Sequence, residues 1–283
     1  MRVMNERSRA MLVLKYAVLT LTALLMLFPV YALILSSFRP GRELMRYGVG
    51  LTTLVPTNLN LEMLKGLLTY RDGLYLVWYR NSLVISILQM AVSLSLSSFV
   101  GYGLAVYRFR GRGFFLALVI FVMMIPLQIL ILPLYRLMTT LGAMNTYWGV
   151  LLPFAVSPFA VFFFRQFAGG IPKDFLDAAR IDGLGEFAIF FRLAPPLMAP
   201  AFAAMAILLA QQSWNGFLWP LIVMRTNDMF TLPLGLNSLL TPYGNNYDVL
   251  IAGSSAASIP IVILFFVFQR YFISGLNAGG IKG

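Results

Sequence analysis

Six long apolar runs, set apart by shorter polar stretches, organise this 283-residue chain. A helix needs about 20 apolar residues to cross the hydrocarbon core of a bilayer, and the runs predict spans over residues 11–38, 81–107, 114–137, 147–167, 197–224 and 249–273. Pro29 lies within the first and should bend it. Pro126 and Pro133 fall in the third, Pro153 and Pro158 in the fourth. The first loop, 39–79, is mixed in charge, and Leu59–Leu68 within it suits a short helix at the membrane interface. A second long loop, Arg225–Tyr247, precedes the last span. The expected architecture is one all-α transmembrane domain covering 1–283.

The one long polar-rich interruption in the second half, Ile171–Pro200, predicts two short helices with a break between them. Pro172 suits a first helical turn, where its missing N–H would have had no partner. Asp174 complements the positive helix N-terminus. Asp177-Ala178-Ala179 carries small side chains that let another surface approach the backbone. Gly183 ends the helix, because glycine enters the left-handed conformation most cheaply. Leu184-Gly185-Glu186 then opens a second helix with Phe187, Phe190 and Phe191, and Pro195-Pro196 should stop it.

Composition agrees with the spans. The chain is 60% hydrophobic and 11% charged, with a mean hydropathy of +0.83; an ordinary soluble domain carries about 25% charged residues. A net charge of +11 would suit nucleic acid, but cations flanking long apolar runs read as membrane-flanking positives. A signal peptide is the rival reading of the N-terminus, with Arg2, Arg7 and Arg9 ahead of an apolar run. The run from Tyr16 to Phe38 is too long for that, and no small-residue cleavage site follows it. With Lys15 snorkelling to the surface and both termini inside, the cytoplasmic side holds Arg2, Arg7, Arg9, Lys15, Arg108, Arg110, Arg112, Arg165, Lys173, Arg180, Arg192, Arg270 and Lys282. Arg136 and Arg225 lie in the other outer loops, and the remaining six cations lie in or beside the first loop, against the rule.

The chain has no Cys and no His, so thiolate chemistry and the commonest metal ligand and general base are missing. An intramembrane enzyme lacks its constellation, and no metal site is expected. No Asp, Glu, Lys or Arg lies near the middle of any span, which argues against an ion-coupled carrier; an ion channel would need a filter or a charged ring. No Walker A string occurs, so nucleotide must be held by another subunit. Polar residues inside the spans are uncharged. Ser93, Ser95, Ser97 and Ser98 in the second and Ser254, Ser255 and Ser258 in the sixth read as helix-packing groups. Gln128 and the cluster Gln211-Gln212-Ser213-Trp214-Asn215 have two readings: a translocation path or gate suited to a neutral polyhydroxyl ligand, or a sealed interface with a second subunit.

Asp177-Ala178-Ala179, then Gly183, then Leu193-Ala194-Pro195-Pro196 resembles the cytoplasmic EAA loop of ABC-importer permeases, with Asp177 in place of that family's Glu. The resemblance extends over nearly the whole chain. Asn81-Ser82-Leu83 through Arg112, Ile125-Pro126, Pro133-Leu134-Tyr135, Leu141-Gly142 with Asn145-Thr146, and Phe164-Arg165-Gln166-Phe167 are similar to the carbohydrate-importer members. So are Trp214-Asn215 with Phe217–Leu221, Thr231–Leu236, and the tail Gln269–Gly283, which resembles the shorter permease of maltose-type systems with Asn277 and Gly280 as departures.

The resemblance implies a type I importer permease fold in a prokaryotic inner or plasma membrane, with both termini cytoplasmic. It also implies a heterodimer with a second permease, two ATPase subunits that hold ATP and Mg, and an extracytoplasmic solute-binding protein that delivers a sugar. The coupling loop, 171–196, would meet the ATPase through Asp174, Asp177, Ala178, Ala179, Arg180, Asp182 and Gly183. By position, the Arg225–Tyr247 loop would face the binding protein with Tyr243, Gly244, Asn245 and Asn246 at its tip. Phosphorylated polyols such as glycerol phosphate are the second substrate class, although the spans offer no cations to receive a phosphate.

Overall fold

The computed structural model describes residues 6–48, 50, 55, 60–240 and 246–279, and every secondary-structure element among the described residues is a helix. Two compact units emerge, one from residues 1–75 and 236–258, the other from 76–235 and 259–283.

In the first unit, α1 (Glu6–Ser36) carries a 26-residue apolar stretch with none of its most apolar window buried within the chain. The polar connection that follows contains α2 (Gly41–Tyr47), which the apolar pattern does not predict, and α3 (Glu62–Thr69), three residues later in starting than the expected interfacial helix. Gly41 sits where a side chain would run into Tyr247 and Asp248, and its N–H donates to the Asp248 carboxylate. The Tyr75 hydroxyl donates to the Gly253 carbonyl at 3.0 Å. A Cβ on Gly253 would meet Leu236 and Tyr75 within 2.9 Å, so only glycine permits that approach.

The second unit is built along α4 (Leu74–Val106), a 33-residue helix longer at its start than the predicted 81–107 span. Its first turns hold the loop that follows Met224. Trp78 Nε1 donates to the Asn227 carbonyl at 2.8 Å, and Asn81 Nδ2 donates to Asp228 and Phe230 at 2.8 and 3.0 Å. The Ser82 hydroxyl accepts from the Leu232 N–H at 2.7 Å, and Tyr147 donates to Asn81 Oδ1 at 2.6 Å. Farther along, Gln89 donates to the Phe154 carbonyl, and the Ser97 hydroxyl accepts from the Ser157 N–H at 3.0 Å. Ser97 thus packs a helix join, as expected for a serine inside a span.

The expected third, fourth and fifth spans are not continuous helices. The third is α5 (Arg112–Met123) followed by α6 (Leu127–Thr140), bent by 103°. Pro126 lacks the N–H that would continue the ladder and holds an extended conformation (φ −64°, ψ 138°) that caps α6 instead. The fourth is α7 (Tyr147–Leu151) with a 3-10 turn to Phe154, then α8 (Pro158–Ala168), bent by 45° where Ser157 caps and Pro158 enters the new helix. The fifth divides into α11 (Ala199–Trp214) and α12 (Leu218–Val223) around Asn215-Gly216. The loop beyond holds α13 (Leu232–Asn237), and the last helix is α14 (Tyr247–Gly279). Among the described residues three helices are long and apolar enough to cross a membrane, or five if each bent pair is one span.

The core that concerns function joins α4, α8 and α11. Tyr102, Ala160, Phe164, Ala168, Phe190, Ala194, Met198, Ala201, Met205 and Leu209 form one buried cluster. Gly101 makes the close approach possible, since a Cβ there would lie 2.6 Å from the Val161 carbonyl.

Candidate functional site: a locked helical hairpin

The break at Gly183 is built from backbone hydrogen bonds. Helix α9 (Lys173–Ile181) begins after Pro172, which holds an extended conformation and tolerates the N-terminal position. At its other end the Gly183 N–H donates to the Arg180 carbonyl and the Leu184 N–H to the Ala179 carbonyl, both at 3.0 Å. This pair of bonds is a Schellman motif, and it needs a residue in the left-handed region at Gly183, whose φ is +81°. Helix α10 (Glu186–Leu197) then turns back. Pro195 and Pro196, expected to stop it, lie inside its last turn; the helix runs to Leu197 because the Met198 N–H still reaches the Ala194 carbonyl at 2.9 Å.

Packing fixes the angle between the two short helices. Leu176 and Ala179 lie one turn apart on α9 and are buried against Ile189 of α10, with half-buried Leu184 and Leu193 closing the cluster. The opposite face is open: Asp174, Phe175, Asp177, Ala178 and Asp182 are exposed, and Ile181 is 86% exposed. On α10, Phe187 is 70% exposed.

Charges tie the hairpin together and to α4. Arg180 Nε donates to Glu186 Oε1 at 2.8 Å and Nη2 to Oε2 at 3.3 Å, while Nη1 donates to Asp177 Oδ1 at 2.7 Å. The Tyr107 hydroxyl, just past the end of α4, donates to Glu186 Oε2 at 2.7 Å. Hydrogen bonds from Arg180 and then Tyr107 hold the Glu186 carboxyl below the usual carboxylate range. Burial and the bond to Glu186 push the Tyr107 phenol up. Glu186 and Asp177 together raise Arg180. Aromatic rings reinforce the link: Phe99 of α4 stacks on Phe187 at 6.1 Å, and Phe190 packs against Phe99 and Tyr102 at 5.1 and 5.2 Å. At its far end α10 leads into α11 through Met198, whose carbonyl accepts from Phe202 at 3.0 Å.

The structure therefore gathers Asp177, Ala178, Ala179, Arg180, Asp182 and Gly183 in one hairpin, with Asp174 in the first turn of α9. Asp177 is paired within the chain, to Arg180. Gln211 to Asn215 cluster at the end of α11: Gln211, Gln212 and Asn215 are exposed, Ser213 half-buried, and Trp214 buried with its ring edge-on to Tyr79 at 5.5 Å. Gln128 is exposed in the first turn of α6. Asn246 caps α14, its Oδ1 accepting from the Val249 N–H at 3.1 Å. Tyr243, Gly244 and Asn245 lie outside the described residues. Sequence reasoning missed Glu186 as the hub and Tyr107 as its partner. Glu186 was visible only as a first-turn carboxylate, and Tyr107 is 79 residues away.

This fold accords with known proteins. The family described as binding-protein-dependent transport system inner membrane component matches residues 93–277. The chain belongs to that family. It is a carbohydrate-type ABC transport permease and a multi-pass membrane protein. Among its relatives, the arabinooligosaccharides transport system permease AraQ of Halalkalibacterium halodurans is 57% identical over 263 residues, 92% of this chain and 93% of that protein. AraQ of Bacillus subtilis is 52% identical over 92% of each chain. The lactose transport system permease LacG of Rhizobium radiobacter is 32% identical over 95% of this chain and 96% of its own length. In fold, the chain is similar to a subunit of a bacterial ABC transporter that imports the acidic polysaccharide alginate (TM-score 0.82, 24% identity, 96% of this chain and 100% of that one).

Proposed function

We propose that this chain is one of two permease subunits of an ATP-driven, binding-protein-dependent oligosaccharide importer, with arabino-oligosaccharides the first substrate class to test. The observation that carries the substrate reading is the 57% identity to an arabinooligosaccharide permease across 92% of the chain. The mechanical reading rests on the hairpin. Its exposed face, with Asp174, Asp177, Ala178, Asp182 and Ile181, would sit in an ATPase subunit, and ATP and Mg would be held there.

Closure of the ATPase pair would move α9 and α10 as one body, because Leu176, Ala179 and Ile189 pack between them and the Gly183 turn is hydrogen-bonded. That motion has two outlets in this chain. One is α4, through Tyr107 and the Phe99–Phe190 contacts; the other is α11, through Met198. The second outlet leads to the Gln211–Asn215 cluster at the helix break, which with Gln128 would line or gate the sugar path. Asn246 and its neighbours Tyr243, Gly244 and Asn245 would face the binding protein, with the hairpin and both termini on the cytoplasmic side.

The test is uptake of labelled arabino-oligosaccharides by cells lacking this chain, with and without the gene restored, alongside purification of the restored complex in mild detergent. Uptake that returns only with the gene, and an ATPase subunit in stoichiometric amount, is the expected result. Restored cells that carry another sugar but no arabino-oligosaccharide overturn the substrate class. A chain that purifies without an ATPase overturns the importer reading.

A further inference from the structure

At the end of α4, two arginines from distant parts of the chain line one cavity. Its volume is about 350 Å³, and its walls are Ala105, Arg112, Arg165, Gln166, Gly169 and Gly170. Arg112 is the first residue of α5 and Arg165 lies in the last turn of α8. Both are half-buried. Arg112 Nη2 donates to the Ala105 carbonyl and Arg165 Nη1 to Gln166 Oε1, each at 3.3 Å. Among the described residues neither guanidinium makes an ion pair, whereas Arg180 makes two. Residues 105–114 and 165–170 contain no Asp or Glu, and Arg108 and Arg110 add two exposed cations beside the cavity.

Two half-buried cations without a counter-charge lose part of their hydration, and the single neutral acceptor each finds in the chain replaces only some of it. An anion in the cavity would restore the balance, and a planar guanidinium suits a phosphate through paired N–H bonds. The surroundings narrow the kind of phosphate. No residue of α5 is buried within the chain, and Phe114, Phe115, Leu118 and Phe121 are exposed along it. The cavity thus has cations at its mouth and an unbroken apolar helix running away from it.

We propose that this cavity binds the phosphate headgroup of an anionic glycerophospholipid, with Arg112 and Arg165 holding the phosphate and an acyl chain lying along α5. Basic pockets between membrane helices favour such headgroups. Gly170 is followed directly by Ile171 and Pro172, so the lipid would brace the corner from which the coupling hairpin departs. The inference rests on the chain spanning a membrane and is independent of which sugar is carried.

The full chain, purified in mild detergent and stripped of lipid, is titrated with phosphatidylglycerol, phosphatidylcholine or inorganic phosphate, and binding is followed by native mass spectrometry and thermal melting. Phosphatidylglycerol should bind and raise the melting temperature, and phosphatidylcholine should do neither. Arg112→Gln with Arg165→Gln should weaken phosphatidylglycerol binding at least about tenfold, since each removes charge-assisted bonds; Arg136→Gln, on another helix, should leave it unchanged. Equal binding of phosphatidylcholine, or a folded double variant with wild-type affinity, overturns the proposal. Inorganic phosphate that displaces the lipid at equal concentration also overturns it, in favour of a soluble phosphate. Should the double variant fail to fold, the single variants are titrated in the same way, and wild-type affinity in both refutes the site.

Discussion

Glu186→Gln is the sharpest test of the hairpin as a lever, because one carboxylate joins it both to itself and to α4. The substitution removes the charge that Arg180 grips through two bonds and that Tyr107 meets at 2.7 Å. The Glu186 side chain is 45% exposed and that of Arg180 38%, so solvent screening limits the ion pair to about 0.2–1 kcal/mol. The Tyr107 bond adds about 1 kcal/mol, part of which Gln retains. The expected loss is about 1 kcal/mol, confined to the hairpin, and it raises local opening about fivefold. Hydrogen exchange of residues 186–193 should speed by that factor while the α4–α8 core is unaffected. In the assembled transporter, ATP hydrolysed per sugar imported should rise. Tyr107→Phe, which keeps the ion pair, should give a smaller change in the same direction. The pH dependence runs in opposite directions for the two groups. Glu186 is depressed in the folded chain, so its contribution is present above the ordinary value of 4.5 and lost as pH falls through the folded value. Tyr107 is raised, so its contribution is present below 10 and lost as pH rises beyond it. In Glu186→Gln the acid-side loss should disappear. Unchanged exchange together with an unchanged hydrolysis ratio would refute the lever.

Gly183→Val meets no neighbour within 4 Å, so its cost is the backbone term alone, about 1–2 kcal/mol for a side chain at φ +81°; the chain should insert normally while sugar uptake falls and ATP hydrolysis persists. Asp177→Asn should shift melting of the isolated chain by less than about 1 kcal/mol, because its pair with Arg180 is exposed and Arg180 keeps Glu186. In the complex it should weaken ATPase association by about 2–5 kcal/mol if Asp177 is buried there, and Asp177→Glu should restore it; wild-type association of the Asn variant would leave Asp177 only its pair with Arg180. Gly101→Leu should lower the melting temperature by an amount corresponding to about 1–3 kcal/mol, since its Cβ would meet the Val161 carbonyl at 2.6 Å and Phe164 Cβ at 2.7 Å; wild-type melting would contradict the packing of α4 on α8.

How much of this was legible follows from what is local. The break at Gly183 could be read because a left-handed C-terminal cap depends on a few consecutive residues, and α9 because Pro172 and Asp174 mark its start and Gly183 its end. The apolar runs located the three long apolar helices, since length and hydropathy are properties of the run itself. They could not reveal that the third run turns by 103° at Pro126: proline inside an apolar run is compatible with a kink, a cap or a full reversal, and packing decides among them. Asn81 and Ser82 could be matched to a family pattern, but their work, holding carbonyls and an N–H some 150 residues later, is a matter of tertiary contact. Tyr107 and Glu186 were invisible as a pair for the same reason.

The hairpin is stiffened at two contacts, and both bear on how such a lever can work. Between α9 and α10 the contact is apolar and buried, with Ile189 wholly inaccessible and Leu176 and Ala179 nearly so; separating them would expose side chains each worth about 1.5–3 kcal/mol when large. Toward α4 the polar contact is one hydrogen bond, from Tyr107 to Glu186, beside two kinds of ring contact: Phe187 lies exposed on Phe99, while Phe190 is buried with Tyr102 in the apolar core. The hairpin therefore keeps its own shape through Leu176, Ala179 and Ile189, and its attachment to α4 through Phe190 and Ala194, in both cases by buried apolar contact. A coupling element needs both contacts: were either only polar and exposed, force applied to Asp177 and Ile181 would open the turn at Gly183 or part Glu186 from Tyr107 before it reached Met198.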